Sequence, residues 1–188
     1  STIAEMGAGT MGSTRLVFSL DGEWGLVLDP EDRGTKEGWF SGKNLPEAIT
    51  VRVPSVWDLW VPDYDGVGWY FREFTLGPEW ANRAVELRFG AADYFAEVWL
   101  NGVRLGEHEG GYTPFSLDAT RAAQFGPNFL AARLIDPHGE TGYQGMTALG
   151  RPLDFRPKQI PCAKERGYFS FAGLWGLSLI HISEPTRP

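Results

Sequence analysis

Glu107 and Glu109, two positions apart in VRLGEHE with His108 between them, are of a type and spacing that could do acid–base chemistry. Glycoside hydrolysis generally uses two carboxyl groups, about 5 Å apart for retention of configuration and roughly 6.5–9.5 Å apart for inversion. Residues two apart on a strand share a face with Cα atoms about 6.5–7 Å apart, so the pair meets that distance. The same pattern also describes a solvated strand end beside a Gly-Gly turn, and no neighbouring sequence marks a cleft, so the solvated reading is preferred. His108 could carry a proton, but a single histidine on a strand is more often a packed structural residue. The chain has no G-x-S-x-G elbow, phosphate-binding loop or dinucleotide fingerprint, and Cys162 has no signature of a catalytic thiol.

Aromatic residues offer a different chemistry. The chain holds eight tryptophans, twelve phenylalanines and six tyrosines. A pyranose presents a face of C–H bonds that packs on an aromatic plane, while neighbouring carboxylates and amides hydrogen-bond its hydroxyls. Most of these rings are expected in the core or at an interface. The segment VPSVWDLWVPDYDGVGWY at 53–70 is the exception, because tryptophan, aspartate and tyrosine crowd a Pro/Gly-bearing loop where burial alone would not require them. Trp57, Asp58, Trp60, Asp63, Tyr64 and Asp65 are therefore the candidates for contact with a sugar or a neighbouring domain.

The elements that would position these residues are strands. Strand-sized runs recur at 16–29, 48–53, 68–76, 83–89, 94–100, 103–109 and 129–135, rich in Val, Phe, Tyr and Trp and mostly separated by Gly, Pro, Asn or Asp. This pattern predicts an antiparallel β-sandwich or jelly roll. Asn101-Gly102 between two runs predicts a type I′ hairpin, since that turn needs positive φ at both central residues. Along 94–100, Tyr94, Ala96, Val98 and Leu100 should face the core. Helical periodicity is confined to a turn or two near Glu79–Ala81 and Asp118–Gln124. The first fifteen residues read as a loose leader, and 137–161 as a long loop.

Composition narrows the function. At 188 residues, with 43% hydrophobic and 22% charged residues, the chain suits one folded domain and is too short for a sandwich followed by a complete barrel. Its net charge of −7 and scattered basic residues argue against a nucleic-acid partner. One cysteine and three dispersed histidines imply no disulfide within the chain, no metal and no cofactor. No apolar run approaches a membrane span and no secretory signal is seen, a weak indication of a cytoplasmic address.

The chain resembles the amino-terminal sugar-binding domain of glycoside hydrolase family 2, which includes β-galactosidases, β-glucuronidases and β-mannosidases. The resemblance runs through LDGEW (20–24), VPSVWD (53–58), GVGWYFREFTL (66–76), RFGAADYFAEVWLNGVRLGEHEGGYTPFSLDAT (88–120), LIDP (134–137) and IPCAKERGYFSFAGLWG (160–176). Its core is the ordered set Asp93, Trp99, Asn101, Gly102, Gly106, His108, Gly110, Gly111, Tyr112, Pro114 and Phe115. It implies an all-β fold, a galactose-binding-like jelly-roll β-sandwich over 16–177. It also implies a longer parent in which an immunoglobulin-like sandwich and a barrel with two catalytic glutamates follow, with homo-oligomeric assembly left open.

That catalytic signature is absent here, so the resemblance implies a non-catalytic sugar-binding or scaffold domain and no catalytic residue. A free-standing carbohydrate-binding module and a purely structural interdomain or oligomerisation domain are the competing readings. Lys164 stands where many relatives read Gly-Lys-Gln and is a further candidate for substrate or interface contact, with Ala163 and Glu165 departing from the pattern. The ending LSLIHISEPTRP reads as translated sequencing-adapter DNA, so 178–188 is expected to be a non-native tail, although its alternation also suits a strand.

Overall fold

In the computed structural model, residues 16–62, 64–136, 173, 174, 176 and 178–183 are described. They build ten strands: β1 (Val17–Ser19), β2 (Gly22–Leu28), β3 (Ile49–Val53), β4 (Gly66–Leu76), β5 (Ala84–Phe89), β6 (Phe95–Leu100), β7 (Val103–Glu109), β8 (Phe115–Asp118), β9 (Gly126–Asp136) and β10 (Ser178–Ser183). One sheet has the order β1-β10-β5-β8 and the other β3-β2-β4-β9-β6-β7, with antiparallel pairing throughout. The architecture is the expected all-β jelly-roll sandwich. Strand β10 lies between β1 and β5, and its Ile180 is buried in the core.

The main core fills the space between the sheets. The six-stranded sheet contributes Trp24, Leu26, Tyr70, Phe74, Ala96, Val98, Leu100, Leu130, Ala132 and Leu134, and the other sheet contributes Val85, Leu87, Phe89 and Ile180. The period-two pattern of 94–100 behaves as expected: Tyr94, Ala96, Val98 and Leu100 are all buried. The Asn101-Gly102 hairpin also forms, with φ of 52° and 80°. Beyond the turn, Gly106 faces Val98 while Arg104 faces Trp99, so Leu105 is the extra residue of a bulge.

The opposite face of the six-stranded sheet is covered too. Trp69, Phe71, Trp99, Ala131 and Ile135 form a second apolar cluster beneath Trp39, with Phe40, Leu45, Phe95 and Phe129 packed against it. The covering segment contains α1 (Gly34–Glu37) and a 3-10 turn at Trp39–Ser41. Asp29 fastens it: its carboxylate accepts hydrogen bonds from the N–H groups of Arg33 and Gly34 and from Trp69 Nε1, at 2.9, 2.8 and 3.0 Å. A Cβ on Gly34 would fall 2.5 Å from Trp69 Nε1, so only glycine allows this approach. Arg133, 3% exposed, adds a fork from β9, reaching Asp32 at 2.9 Å through Nε and Glu97 at 2.7 Å.

Two local expectations differ from the structure. The turn near Glu79–Ala81 is a 3-10 turn at Pro78–Trp80, while 118–124 contains no helix, and the short helix sits at 34–37 instead. Asp118 Oδ1 accepts the Thr120 N–H at 2.9 Å, a side-chain turn that competes with helix initiation.

Candidate functional site

The 54–66 loop emerges where β3 ends and returns into β4. Trp57 begins a 3-10 turn, Trp57–Leu59, and its indole turns inward to lie flat against Tyr70, with centroids 6.5 Å apart and planes 10° apart. Tyr64 packs on it from the other end of the loop, and Trp57 Nε1 donates to the Tyr64 carbonyl at 3.2 Å. Gly68 makes room, since a Cβ there would be 2.4 Å from the indole. Tyr64 closes the loop by donating its hydroxyl to the Val67 carbonyl at 2.7 Å, and burial pushes that phenol up to about 12.

This geometry divides the sequence candidates. Trp57 is wholly enclosed, so it shapes the loop from within and offers no ring face to a ligand. Tyr64 is half-buried for the same structural reason. Trp60 is 43% exposed and its Nε1 donates to Ser55 Oγ at 3.2 Å, while Leu59 beside it is 71% exposed. Asp58 and Asp65 remain at this end of the sandwich. Asp63 and Lys164 lie outside the described residues.

A group that the sequence did not single out gathers beneath the loop. Asp136 ends β9 directly opposite Gly66 and is 3% exposed. Burial first, then repulsion from Asp93, Asp65 and Asp58, pushes its carboxyl up to about 8, and a side-chain hydrogen bond with Asp65 acts in the same direction. Asp93 is held by reciprocal backbone hydrogen bonds with Gly173, 3.0 and 3.3 Å long. Tyr94 donates its hydroxyl to Glu109 Oε1 at 2.9 Å, and Gly111 packs so closely that a Cβ would meet Asp93 Oδ1 at 2.3 Å. Four aspartates thus converge where the 54–66, 90–94 and 110–112 segments meet. A protonated carboxyl among ionised ones is the electrostatic ingredient of acid–base catalysis. Asp136 is enclosed, however, and the arrangement is that of a buried acid whose proton relieves repulsion. Among the described residues no cluster of His, Cys, Asp and Glu is arranged to hold a metal.

The carboxylate pair of β7 has ordinary structural partners. Glu107 pairs with Arg104, and Glu109 accepts the Tyr94 hydroxyl. His108 stacks on Phe115 with centroids 4.2 Å apart, its Nε2 lies 3.0 Å from Thr113 Oγ1, and burial lowers its pKa. These contacts agree with the solvated and structural readings of the three residues.

Comparisons with known proteins bear on what this end does. The family model described as "Glycosyl hydrolases family 2, sugar binding domain" matches residues 58–141. A β-glucuronidase of Paenibacillus borealis is 35% identical over 115 residues, covering 58% of this chain and 19% of the relative. The Homo sapiens β-glucuronidase is 38% identical over 128 residues, covering 61% and 19%. The chain therefore spans about a fifth of the length of these curated relatives. Among solved structures, Ruminococcus gnavus β-glucuronidase in complex with D-glucuronic acid superposes with a TM-score of 0.74 at 27% identity, over 93% of this chain and 30% of that one.

Proposed function

Since the chain carries the sugar-binding domain of the family 2 glycosyl hydrolases, we propose that it is the non-catalytic scaffold module of a longer β-glycosidase. The observation that carries this reading is the burial of the tryptophans: Trp24, Trp39, Trp57, Trp69, Trp80 and Trp99 are all at least nine-tenths buried, and of the described tryptophans Trp60 alone is exposed. A free-standing sugar-binding module would be expected to present several rings to solvent at its binding end. Here Leu59 and Trp60 form a small apolar contact above the aspartates, a surface suited to a neighbouring domain.

In this proposal the sandwich spans 16–177, and Trp60, Asp58, Asp65 and the unplaced Asp63 and Lys164 meet the catalytic domain or the rim of its pocket. Trp57 and Tyr64 hold that surface from below. The segment from 178 supplies β10 in the place of a native closing strand. The β-glucuronidase relatives support a β-glucuronide as the first substrate to try.

The test is to read the source DNA past Gly176 and to assay both the resulting protein and this chain on nitrophenyl β-glucuronide, β-galactoside and β-mannoside. The longer protein should cleave one of these, this chain none, and Trp60→Ala should lower the stability or rate of the longer protein. Hydrolysis by this chain, or a reading frame that stops soon after Gly176, defeats the proposal.

A further inference from the structure

A second surface lies at the other end of the same sheet. From Gly66 to Thr75, β4 advances nine residues, about 30 Å at the usual strand rise, so whatever binds there is remote from the 54–66 loop. On the outer face at that end, two cross-strand pairs form a floor: Glu73 opposite Phe129, and Thr75 opposite Pro127. The Asn101-Gly102 turn and Asn128 complete a cavity of about 350 Å³, within the range of small-molecule sites.

The polar groups around this cavity fall into two sets. Asn101 and Asn128 are fully engaged. Asn101 Nδ2 donates to the Ala122 carbonyl and to Asn128 Oδ1, both at 2.8 Å, and Asn101 Oδ1 accepts the Phe129 N–H at 2.8 Å. Asn128 Nδ2 donates to the Gln124 and Gly126 carbonyls, at 2.7 and 3.0 Å. They make a rigid wall with little bonding capacity left. Glu73 and Thr75 are exposed, and among the described residues neither side chain has a hydrogen bond or ion pair. Phe129 is half-buried, fixed by stacking on Phe71 with centroids 5.7 Å apart.

We infer that this cavity is a binding site for a neutral pyranose, with the ring seated against Phe129 and its hydroxyls donating to Glu73 and exchanging hydrogen bonds with Thr75. A fixed aromatic surface beside an unpaired carboxylate is the pairing that sugar recognition requires. The wall is already assembled, so binding orders only the Glu73 and Thr75 side chains. Glu73 also sets selectivity, because a uronate would bring a second carboxylate against it. The site goes beyond the scaffold reading and does not depend on it, since every residue involved belongs to this chain and to the far end of the sandwich.

The experiment is an amide NMR titration of this chain with methyl β-D-glucopyranoside and, separately, methyl β-D-glucuronide, each taken to high millimolar concentration. Saturable shifts confined to Glu73, Thr75, Asn101 and Phe129 are expected with the glucoside, with weaker binding of the glucuronide. Glu73→Ala lies on the surface and leaves the fold intact, and it should weaken glucoside binding about tenfold, the loss of one hydrogen bond to a charged group. Phe129→Ala should abolish binding, but Glu73→Ala decides the matter if that variant fails to fold. Unchanged spectra, shifts centred on Trp60 instead, equal or tighter glucuronide binding, or an unaltered Glu73→Ala affinity would each overturn the inference.

Discussion

Asp136 exchanges its proton with solvent only through the folded state's particular surroundings, and this makes stability depend on pH. Its carboxyl sits at about 8 in the folded chain, against 3.8 for the ordinary group. Between those values the folded state binds the proton and the unfolded state does not, so stability from this group is full below about pH 4 and is lost as pH rises through about 8. The unfolding temperature of the wild-type chain should therefore fall between pH 5 and pH 9. Asp136→Asn, which keeps the shape and removes the charge, should flatten that slope and raise stability most at the alkaline end; a parallel pair of pH profiles would contradict the assignment. The two tryptophans of the 54–66 loop should also part company. Trp57→Ala empties an enclosed indole site and should cost roughly 3–5 kcal/mol, while Trp60→Ala should stay within about 1 kcal/mol in this chain, as urea midpoints would show. The crowding of Trp, Asp and Tyr in 53–70 was legible in sequence, and so was the exposure of one of its rings. Which ring turned inward was not legible, because that depends on Gly68 across the loop, and Asp136 was hidden because burial and three distant aspartates act on it only after folding.

At the scale of elements, the Asn101-Gly102 turn does more than reverse the chain. Asn101 takes a left-handed φ of 52° and ties β6 to β9 and to the 122–124 turn through three side-chain hydrogen bonds. Asn101→Ala should lose roughly 2–4 kcal/mol in urea unfolding, more than an ordinary hairpin substitution, since a buried amide network is opened as well. Asn101→Gly, which keeps the φ and drops the hydrogen bonds, separates the two contributions. The hairpin and most strands were readable from period-two alternation and Asn-Gly chemistry. The 29–46 cover was not. Its helix is a single turn, too short for a periodic signal, and it exists because Asp29 and Gly34 meet Trp69, forty and thirty-five positions away. Burial of Trp99 had the same origin: alternation assigned it to the face away from the core, and that face proved to have a core of its own.

The whole molecule is thus three layers, two sheets and a cover, and Arg133 is the charged rivet through the outer two. It is 3% exposed and grips Asp32 of the cover and Glu97 of β6 together. Arg133→Ala would strand one carboxylate and weaken the other, an expected loss of roughly 3–5 kcal/mol, whereas Arg133→Met in an Asp32→Asn background should recover part of it. Hydrogen exchange of 34–42 would rise in the single variant before the β4 and β9 amides do, if the cover opens as a unit.

The aromatic contacts beneath the cover also give the protein an optical signature. Trp39 and Trp69 lie 6.0 Å apart at 64°, and Trp69 and Trp99 lie 5.3 Å apart. Indoles this close share excited states, so the folded chain should show a two-signed circular-dichroism band of exciton origin that no isolated tryptophan produces. Trp39 belongs to the cover and the other two to the sheet, so the part of that band contributed by Trp39 works as a built-in ruler of whether the cover is seated. Trp39→Phe would erase that contribution while leaving the Trp69–Trp99 signal to report on the sheet alone.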